Sequence, residues 1–204
     1  MLGARAAALA AIAVLLTACD SSSGALACKV DVDTPQLVRD REAAGIADCT
    51  EIPTEKGASQ LPDVRLHCLG GTSSVSLADV KGPAIVNFWS TTCVACLKEM
   101  PVLQQFHEQY GDQVAMIGVN FLDTYPGAAI DFARMKKVTY PSAADACGDL
   151  QGSDLVLTGL PQFVFVKADG EAQQVAGGIT SLDKIVTLAE QQLGIDLPAP
   201  KAAS

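Results

Sequence analysis

Hydrophobic and polar positions change their spacing sharply at one point in the chain. Pro83-Ala84-Ile85-Val86-Asn87-Phe88-Trp89 is a continuous, largely apolar run rich in β-branched and aromatic residues, the pattern of a strand buried on both faces. Ser90-Thr91-Thr92 breaks it. From Cys93 the apolar positions recur at helical spacing, at Leu97, Met100, Leu103, Phe106 and Tyr110, and Gly111 closes the segment. Val114 to Val119 predicts a second buried strand, followed by a loop over 120–127 and an amphipathic helix through Lys137. Asp63 to Leu69 and Val75 to Leu77 flank Gly70-Gly71 as a hairpin. Phe163 to Lys167 and Ala172 to Ala176 bracket Asp169-Gly170, a type I′ hairpin signal. Thr180-Ser181-Leu182-Asp183 resembles a capping box opening a last helix that runs to Gln192 before Gly194. Nearer the amino terminus, Thr34 is a natural N-cap, Pro35 fits the first helical position and Gly45 ends the helix. Residues 50–60, with Pro53, Gly57 and few apolar groups, read as a linker, and 197–204 as a frayed tail. The sum is an α/β layout, a central mixed sheet with helices on both faces.

The first residues have another purpose. Met1 to Arg5 carries one positive charge, and Ala6 to Leu16 is almost wholly small or apolar. That run falls short of the roughly 20 residues a bilayer span needs and has the shape of a signal-peptide core. Leu16-Thr17-Ala18-Cys19 resembles a bacterial lipoprotein box, in which Cys19 becomes the lipid-bearing first residue; a plain secretory signal is the alternative. Asp20 to Gly24 follows as a polar tether. Both readings put the globular part outside the cytoplasm.

The chain has 204 residues and seven cysteines. Removing 1–18, whose one charge is Arg5, takes the formal charge from −9 to −10. An acidic balance argues against nucleic acid and against electrostatic binding to anionic lipid. With Cys19 set aside, six cysteines remain, an even set in a compartment that permits disulfides. Cys93 and Cys96 stand three apart. Cys28, Cys49, Cys68 and Cys147 allow three connectivities. The capped helix between Cys28 and Cys49 favours that pair, leaving Cys68 with Cys147 by elimination.

Cys93-Val94-Ala95-Cys96 puts both sulfurs in the first turn of a helix that follows a buried strand. Unpaired N–H groups and the positive end of the helix dipole favour a thiolate at Cys93. Such a thiol falls below the free value of about 8.5, and the thiolate is the attacking species in disulfide exchange. Cys96, one turn deeper, suits resolution of a mixed disulfide. A zinc site would need two further ligands at matching spacing; the chain has no second C-x-x-C and just two histidines, His67 and His107. No metal is expected. A structural staple closing so small a loop would constrain little chain entropy. The segment reads as a redox dithiol.

Asn87-Phe88-Trp89-x-x-x-Cys93-x-x-Cys96, with Glu99 and Pro101 behind it, resembles the active-site block of the thioredoxin superfamily, and specifically its membrane-tethered TlpA/ResA-like branch. The resemblance covers roughly Leu61 to Leu193. It implies a thioredoxin-like fold over 61–194, after a signal peptide at 1–18 and a tether, small disulfide-stapled helical appendage and linker at 19–60; 195–204 is the tail. Gly159-Leu160-Pro161-Gln162-Phe163 is similar to the family's cis-proline loop. By that resemblance Pro161 packs against the dithiol and the backbone of Leu160 pairs with a bound client chain. Glu99 occupies the place of a family glutamate that exchanges a proton when the second cysteine attacks, although a residue so placed can equally be a solvated helix position. Two positions depart from the family: Thr92 stands where Trp is frequent, and Val94-Ala95 replaces a proline-containing pair. Asn87 stands where thioredoxins bury a carboxylate.

The resemblance implies an extracytoplasmic thiol-disulfide oxidoreductase reducing protein disulfides, with apocytochrome c as a client. No flavin or nicotinamide fingerprint is present, so the expected cofactor is none beyond the Cys93/Cys96 pair, with electrons supplied by a membrane partner. The rivals are a disulfide-forming oxidase of opposite poise and a peroxiredoxin, whose motif Ser90-x-x-Cys93 matches in part although Val86 stands where that motif needs proline. A copper-delivery module is a further rival, but no histidine follows Val114 to serve it.

Overall fold

The computed structural model describes residues 28–201; the leader, Cys19 and the tether lie outside the described residues. Its centre is β3, Ala84–Trp89, buried at every position. β3 pairs in parallel with β4, Ala115–Phe121, and antiparallel with β6, Gln162–Val166. Neighbours on both edges and side chains on both faces explain why its sequence is continuously apolar rather than alternating. With β1 (Arg65–Cys68), β2 (Ser74–Ser76), β5 (Ser142–Asp145) and β7 (Ala172–Ala176), the sheet order is β2-β1-β5-β4-β3-β6-β7.

The helices are α1 (Pro35–Ala44), α2 (Val94–Tyr110), α3 (Pro126–Met135) and α4 (Leu182–Leu193). α2 and α3 are successive parallel crossovers that step the same way along the sheet, from β3 to β4 to β5. Right-handed crossovers in one direction place their helices on one face. Leu103, Phe106, Ile130 and Ile185 accordingly share a core with Ile85, Trp89, Phe163 and Phe165. The other face, carrying Val86, Phe88, Ile117 and Val164, is covered by Ile52, Leu61, Leu77, Val80 and Leu150, all from 3-10 turns and extended chain. The helices therefore flank the sheet from one side, not both.

Residues 50–60 are thus a cover and not a linker. Ile52 and Leu61 are buried, Thr54 bridges Val80, and backbone bonds run from Glu55 N to Asp79 O (2.8 Å) and from Gln60 N to Gly170 O (2.9 Å). Two well-placed apolar side chains suffice where the backbone is tied to both sides. The tail is also docked as far as Lys201: Tyr110 donates its hydroxyl to Pro198 O at 2.9 Å, and Lys201 N donates to Gln109 Oε1 at 2.9 Å. The hairpin between β6 and β7 turns through Ala168-Asp169-Gly170, with Lys167 N bonded to Glu171 O and the left-handed conformation confined to Gly170 (φ 88°). It is a three-residue loop, not a two-residue type I′ turn, which would need positive φ at both central residues. Ser181 alone caps α4, accepting from Lys184 N at 3.3 Å.

The structural disulfides are Cys28–Cys147 and Cys49–Cys68, which corrects the expected Cys28–Cys49 and Cys68–Cys147. The reason is the course of the chain on either side of α1. The helix has the expected Thr34 cap and left-handed Gly45, but the segment before it is tied at Val32, whose O accepts from Gly70 N at 2.8 Å. Beyond Gly45 the chain turns onto the sheet, with Ala47 N donating to Thr139 O at 2.8 Å. Cys49 is laid against Cys68 of β1, and Cys28 at the other end of the arm meets Cys147 just after β5, with 5.6 and 5.5 Å between Cα atoms.

Arg41 fixes that turn. Its guanidinium is buried and donates to Gly70 O (Nε, 2.9 Å) and Ile46 O (Nη1, 2.8 Å), with Asp48 3.7 Å away. Hydrogen bonds from a charged donor contribute about 1.5–3 kcal/mol each. Arg41→Ala is expected to lower the unfolding free energy by about 2–4 kcal/mol, because two buried carbonyls lose their donor. Urea unfolding under non-reducing conditions measures it, and a change within experimental error would show that the arm docks without Arg41.

Candidate active site

β3 ends in a turn held from outside. Cys93 N donates to Ser90 O at 3.2 Å, the Ser90 and Thr92 hydroxyls lie 3.0 Å apart, and Thr91 N donates to Asp123 Oδ2 at 2.7 Å. Asp123 is buried and also accepts from Asn120 Nδ2 (3.1 Å) and Tyr125 N (3.3 Å). One carboxylate beyond β4 therefore orders the turn that delivers the dithiol. Sequence reasoning missed Asp123; its signal was an Asp between a strand and the Tyr125-Pro126 helix start, a common turn pattern.

Cys93 is the N-cap of α2, and its Sγ accepts from Cys96 N at 3.1 Å. The sulfur thus already occupies the position of a capping acceptor, and a thiolate there would gain the same N–H and the positive helix end. Cys93 and Cys96 are bonded to each other. Cys93 is half-buried, Cys96 only 2% exposed, and Val94 projects at 65% exposure between them. Pro101 lies within α2.

Glu99 is not a solvated helix position. It is 3% exposed, and its Oε1 accepts from both Gly178 N and Ile179 N at 2.7 Å, while Oε2 has no partner among the described residues. Lys184 Nζ donates to Gly178 O and steadies the same loop. Burial raises the Glu99 pKa, and the two amides and Lys184 lower it by less, so the net direction is upward. Tyr140, fully buried with an unpartnered hydroxyl, is pushed far above the usual phenol value by burial first and the Glu99 charge second. Asn87, on β3, is buried with both side-chain polar atoms unpartnered.

The Leu160–Pro161 bond is cis. Pro161 O accepts from Gly177 N at 3.0 Å, and a Cβ on Gly177 would overlap the Pro161 ring and lie 2.6 Å from its carbonyl oxygen. Gly178 follows at φ 99°. The Gly177-Gly178-Ile179 loop therefore bonds the proline loop on one side and the dithiol helix on the other. A Gly-Gly pair after a strand was its sequence signal, unread until the contacts were visible. Leu160 and Thr92 line one hollow of about 240 Å³ with Ser90, Phe121, Leu122 and Leu157. Among the described residues, neither the N–H nor the C=O of Leu160 has a hydrogen-bond partner. The structure brings Cys93, Cys96, Glu99, Leu160 and Pro161 into one region; Cys19 lies outside the described residues. No three His, Cys, Asp or Glu side chains among the described residues converge on a point that could hold a metal ion.

A dithiol at a helix start, an ordered turn beneath it and a cis-proline loop beside it define a thioredoxin-like thiol-disulfide oxidoreductase. Comparison with known proteins agrees: the chain belongs to the AhpC/TSA family, whose model matches residues 58–175. The thioredoxin-like protein YneN of Bacillus subtilis (strain 168) is 30% identical over 149 residues, covering 72% of this chain and 83% of that protein. The thiol:disulfide interchange protein DsbE of Pseudomonas fluorescens biotype C is 29% identical over 140 residues, covering 68% and 75%. Among solved structures, MTB dsbF in mixed oxidized and reduced forms superposes with a TM-score of 0.57 at 26% identity, covering 64% of this chain and 95% of that one. Further relatives are named ResA and sporulation thiol-disulfide oxidoreductase A. The protein is an enzyme of this ResA/DsbE type.

The raised Glu99 pKa has a measurable sign. Between the ordinary carboxylate pKa and the raised one, the native state binds more protons than the unfolded chain, so stability falls as pH rises through that interval. Glu99→Gln keeps the acceptor oxygen for the two amides and removes the titration. Wild type should lose stability relative to Glu99→Gln as pH rises through the interval, then run parallel above it. Urea midpoints at a series of pH values test this; parallel curves throughout would show that burial does not hold the carboxyl protonated.

Proposed function

We propose that this enzyme is an extracytoplasmic, membrane-anchored reductase of protein disulfides, with apocytochrome c among its clients. The observation that carries the reading is the unequal burial of two cysteines within one helical turn, Cys93 half-buried and Cys96 covered. Cys93 thiolate attacks a client disulfide, forming a mixed disulfide and releasing one client thiolate, which takes a proton. Cys96, deprotonated by Glu99, then attacks Cys93 Sγ; the second client thiolate leaves and the Cys93–Cys96 bond forms. Two electrons pass to the client, and a dithiol protein in the membrane restores the pair. The unpaired backbone of Leu160 supports client docking as an added extended segment, with apolar neighbours in the hollow beside Leu122 and Leu157.

Anchoring rests on Leu16-Thr17-Ala18-Cys19, and two structural disulfides fit an oxidising compartment. Haem attachment to a cytochrome C-x-x-C-H pair requires reduced thiols, which gives a reductase of this kind its work outside the cytoplasm.

Cys96→Ser should trap mixed disulfides with clients and Cys93→Ser few; equal trapping would overturn the assignment of roles. A reduction potential near about −270 mV supports a reductase, whereas one near about −120 mV would make the protein a disulfide-forming oxidase. Glu99→Gln should shift thiolate absorbance to lower pH, since a nearby negative charge disfavours thiolates; an unchanged titration withdraws Glu99 from the proton transfer. Mass spectrometry of the mature protein should find lipid on Cys19, and an unmodified N-terminus at another residue would refute anchoring.

A further inference from the structure

The two disulfides outside the active site stand in opposite environments. Cys49 and Cys68 are 4% and 0% exposed within the second core, and their bond is part of its packing. Cys28 is exposed and Cys147 half-buried. Their bridge lies at the same end of the sheet as the dithiol, since Cys147 follows β5 by two residues and β5 runs parallel to β4 and β3. Leu122 N donates to Asp145 O at 2.9 Å, and a Cβ on Gly148 would lie 2.7 Å from Leu122 Cδ2. Leu122 lines the hollow that also holds Ser90, Thr92 and Leu160. One residue beyond the bridge, the backbone already touches the wall of the client groove.

Each end of the bridge also has anchors of its own. The arm is held by Gly70 N donating to Val32 O at 2.8 Å, by the buried Val32 side chain and by the Thr34 cap on α1. The loop beyond Cys147 is held by Asp145, which accepts from Asp149 N (2.6 Å) and Leu150 N (3.2 Å). Opening the bond would free Cys28 and Lys29, ahead of Val30 packed on the first core, and would take one tether from Gly148, which keeps its bonds from Gly148 N to Asp145 O (3.4 Å) and from Gln151 N to Gly148 O (2.9 Å). An exposed disulfide that opens without unfolding belongs to the labile, exchangeable class.

We propose that Cys28–Cys147 is a second exchangeable disulfide, a two-electron acceptor for protein dithiols of the thioredoxin type, and that its redox state sets the rigidity of the client groove. A donor thiolate attacks the exposed Cys28 sulfur, forming a mixed disulfide and releasing Cys147 thiolate, which takes a proton from solvent. The donor's second thiol, deprotonated, attacks its own sulfur in the mixed disulfide and releases Cys28 thiolate, which is protonated in turn. The donor leaves as a disulfide, two electrons and two protons having passed to the bridge. The reduced Cys93/Cys96 pair of a second copy is one such donor. With the bridge open, the support of Leu122 through Gly148 loosens and clients bind less tightly; closed, the wall is stiff.

The full chain equilibrated in graded dithiothreitol buffers, quenched with N-ethylmaleimide and mapped by peptide mass, with circular dichroism in parallel, tests the first part. Cys93 and Cys96 should be labelled first, Cys28 and Cys147 next with the spectrum still native, and Cys49 and Cys68 only in denaturant. Labelling of Cys28 and Cys147 together with Cys49 and Cys68 would overturn the proposal. Donor competence is tested by mixing pre-reduced Cys28→Ser/Cys147→Ser protein with oxidised Cys93→Ser/Cys96→Ser protein. New thiols at Cys28 and Cys147 are expected, and their absence removes the dithiol pair as a donor and the proposal with it. For the groove, Cys28→Ser/Cys147→Ser should raise KM for a disulfide-containing peptide roughly three- to tenfold with kcat little changed, the range expected for coupling through packed neighbours. If that variant loses the native spectrum, wild type poised between the second and third labelling steps gives the same comparison. An unchanged KM would reduce the bridge to a staple.

Discussion

Two backbone N–H groups donating to one buried carboxylate oxygen set the geometry around the dithiol. Glu99 Oε1 takes Gly178 N and Ile179 N, and Gly177 N in turn bonds Pro161 O. The helix that carries both cysteines and the loop that carries the proline are thereby held through three consecutive residues of a third segment. Each charge-assisted bond contributes about 1.5–3 kcal/mol, while burying a carboxylate costs several kcal/mol. The upward pKa shows that burial outweighs the bonds. A group in that balance can lose or regain a proton without leaving its place, because protonation at the unpartnered Oε2 leaves both amide bonds to Oε1 intact. Structural anchor and proton carrier are compatible in one side chain for that reason.

What could be read from the chain divides along the range of the interactions. β3, α1, α2 and α4 were legible because burial period, caps and terminal glycines are local properties. β5 was not: Ser142-Ala143-Ala144-Asp145 has neither alternation nor β-branched residues, and its extended state comes from pairing with β4 on one side and β1 on the other. Ala143 faces the second core and Ala144 the first. The site divides in the same way. Cys93, Cys96 and Pro161 announce themselves through spacing and setting, whereas Asp123 and the Gly177-Gly178-Ile179 loop act across 32 and about 80 residues of chain. Disulfide connectivity belongs to the illegible part, since it depended on where a ten-residue helix came to lie and not on which cysteines were neighbours in sequence.

The same sheet separates two cores of different construction. Helices pack the face beneath the dithiol, so the cysteine-bearing segment rests on a rigid layer of α2, α4 and aromatic strand residues. The opposite face is covered by segments without regular helices, tied down by backbone bonds and by Cys49–Cys68. Such a cover has little cooperative secondary structure of its own, and a covalent bond in its midst compensates by limiting the freedom of the unfolded chain. A loop of this length is worth about 3 kcal/mol on the chain-entropy account.

The three disulfides can consequently have three fates in one fold. Cys93–Cys96 closes so short a loop that breaking it returns less chain entropy to the unfolded state than breaking either of the others. The cap acceptor at Cys96 N is Cys93 Sγ itself, a sulfur that remains in the chain when the bond opens. Opening this bond therefore costs the fold less than opening either of the others, which suits a thiol-disulfide oxidoreductase. Cys49–Cys68 is the reverse case: breaking it leaves two thiols in an apolar core whose cover depends on their bond. Cys28–Cys147 combines a long loop with one exposed and one half-buried end, and its arm and loop are each secured by other contacts. Access and local anchoring would govern its opening, and the residue beside it, Gly148, lies against Leu122 of the hollow next to Leu160. Loop length and exposure together sort the three.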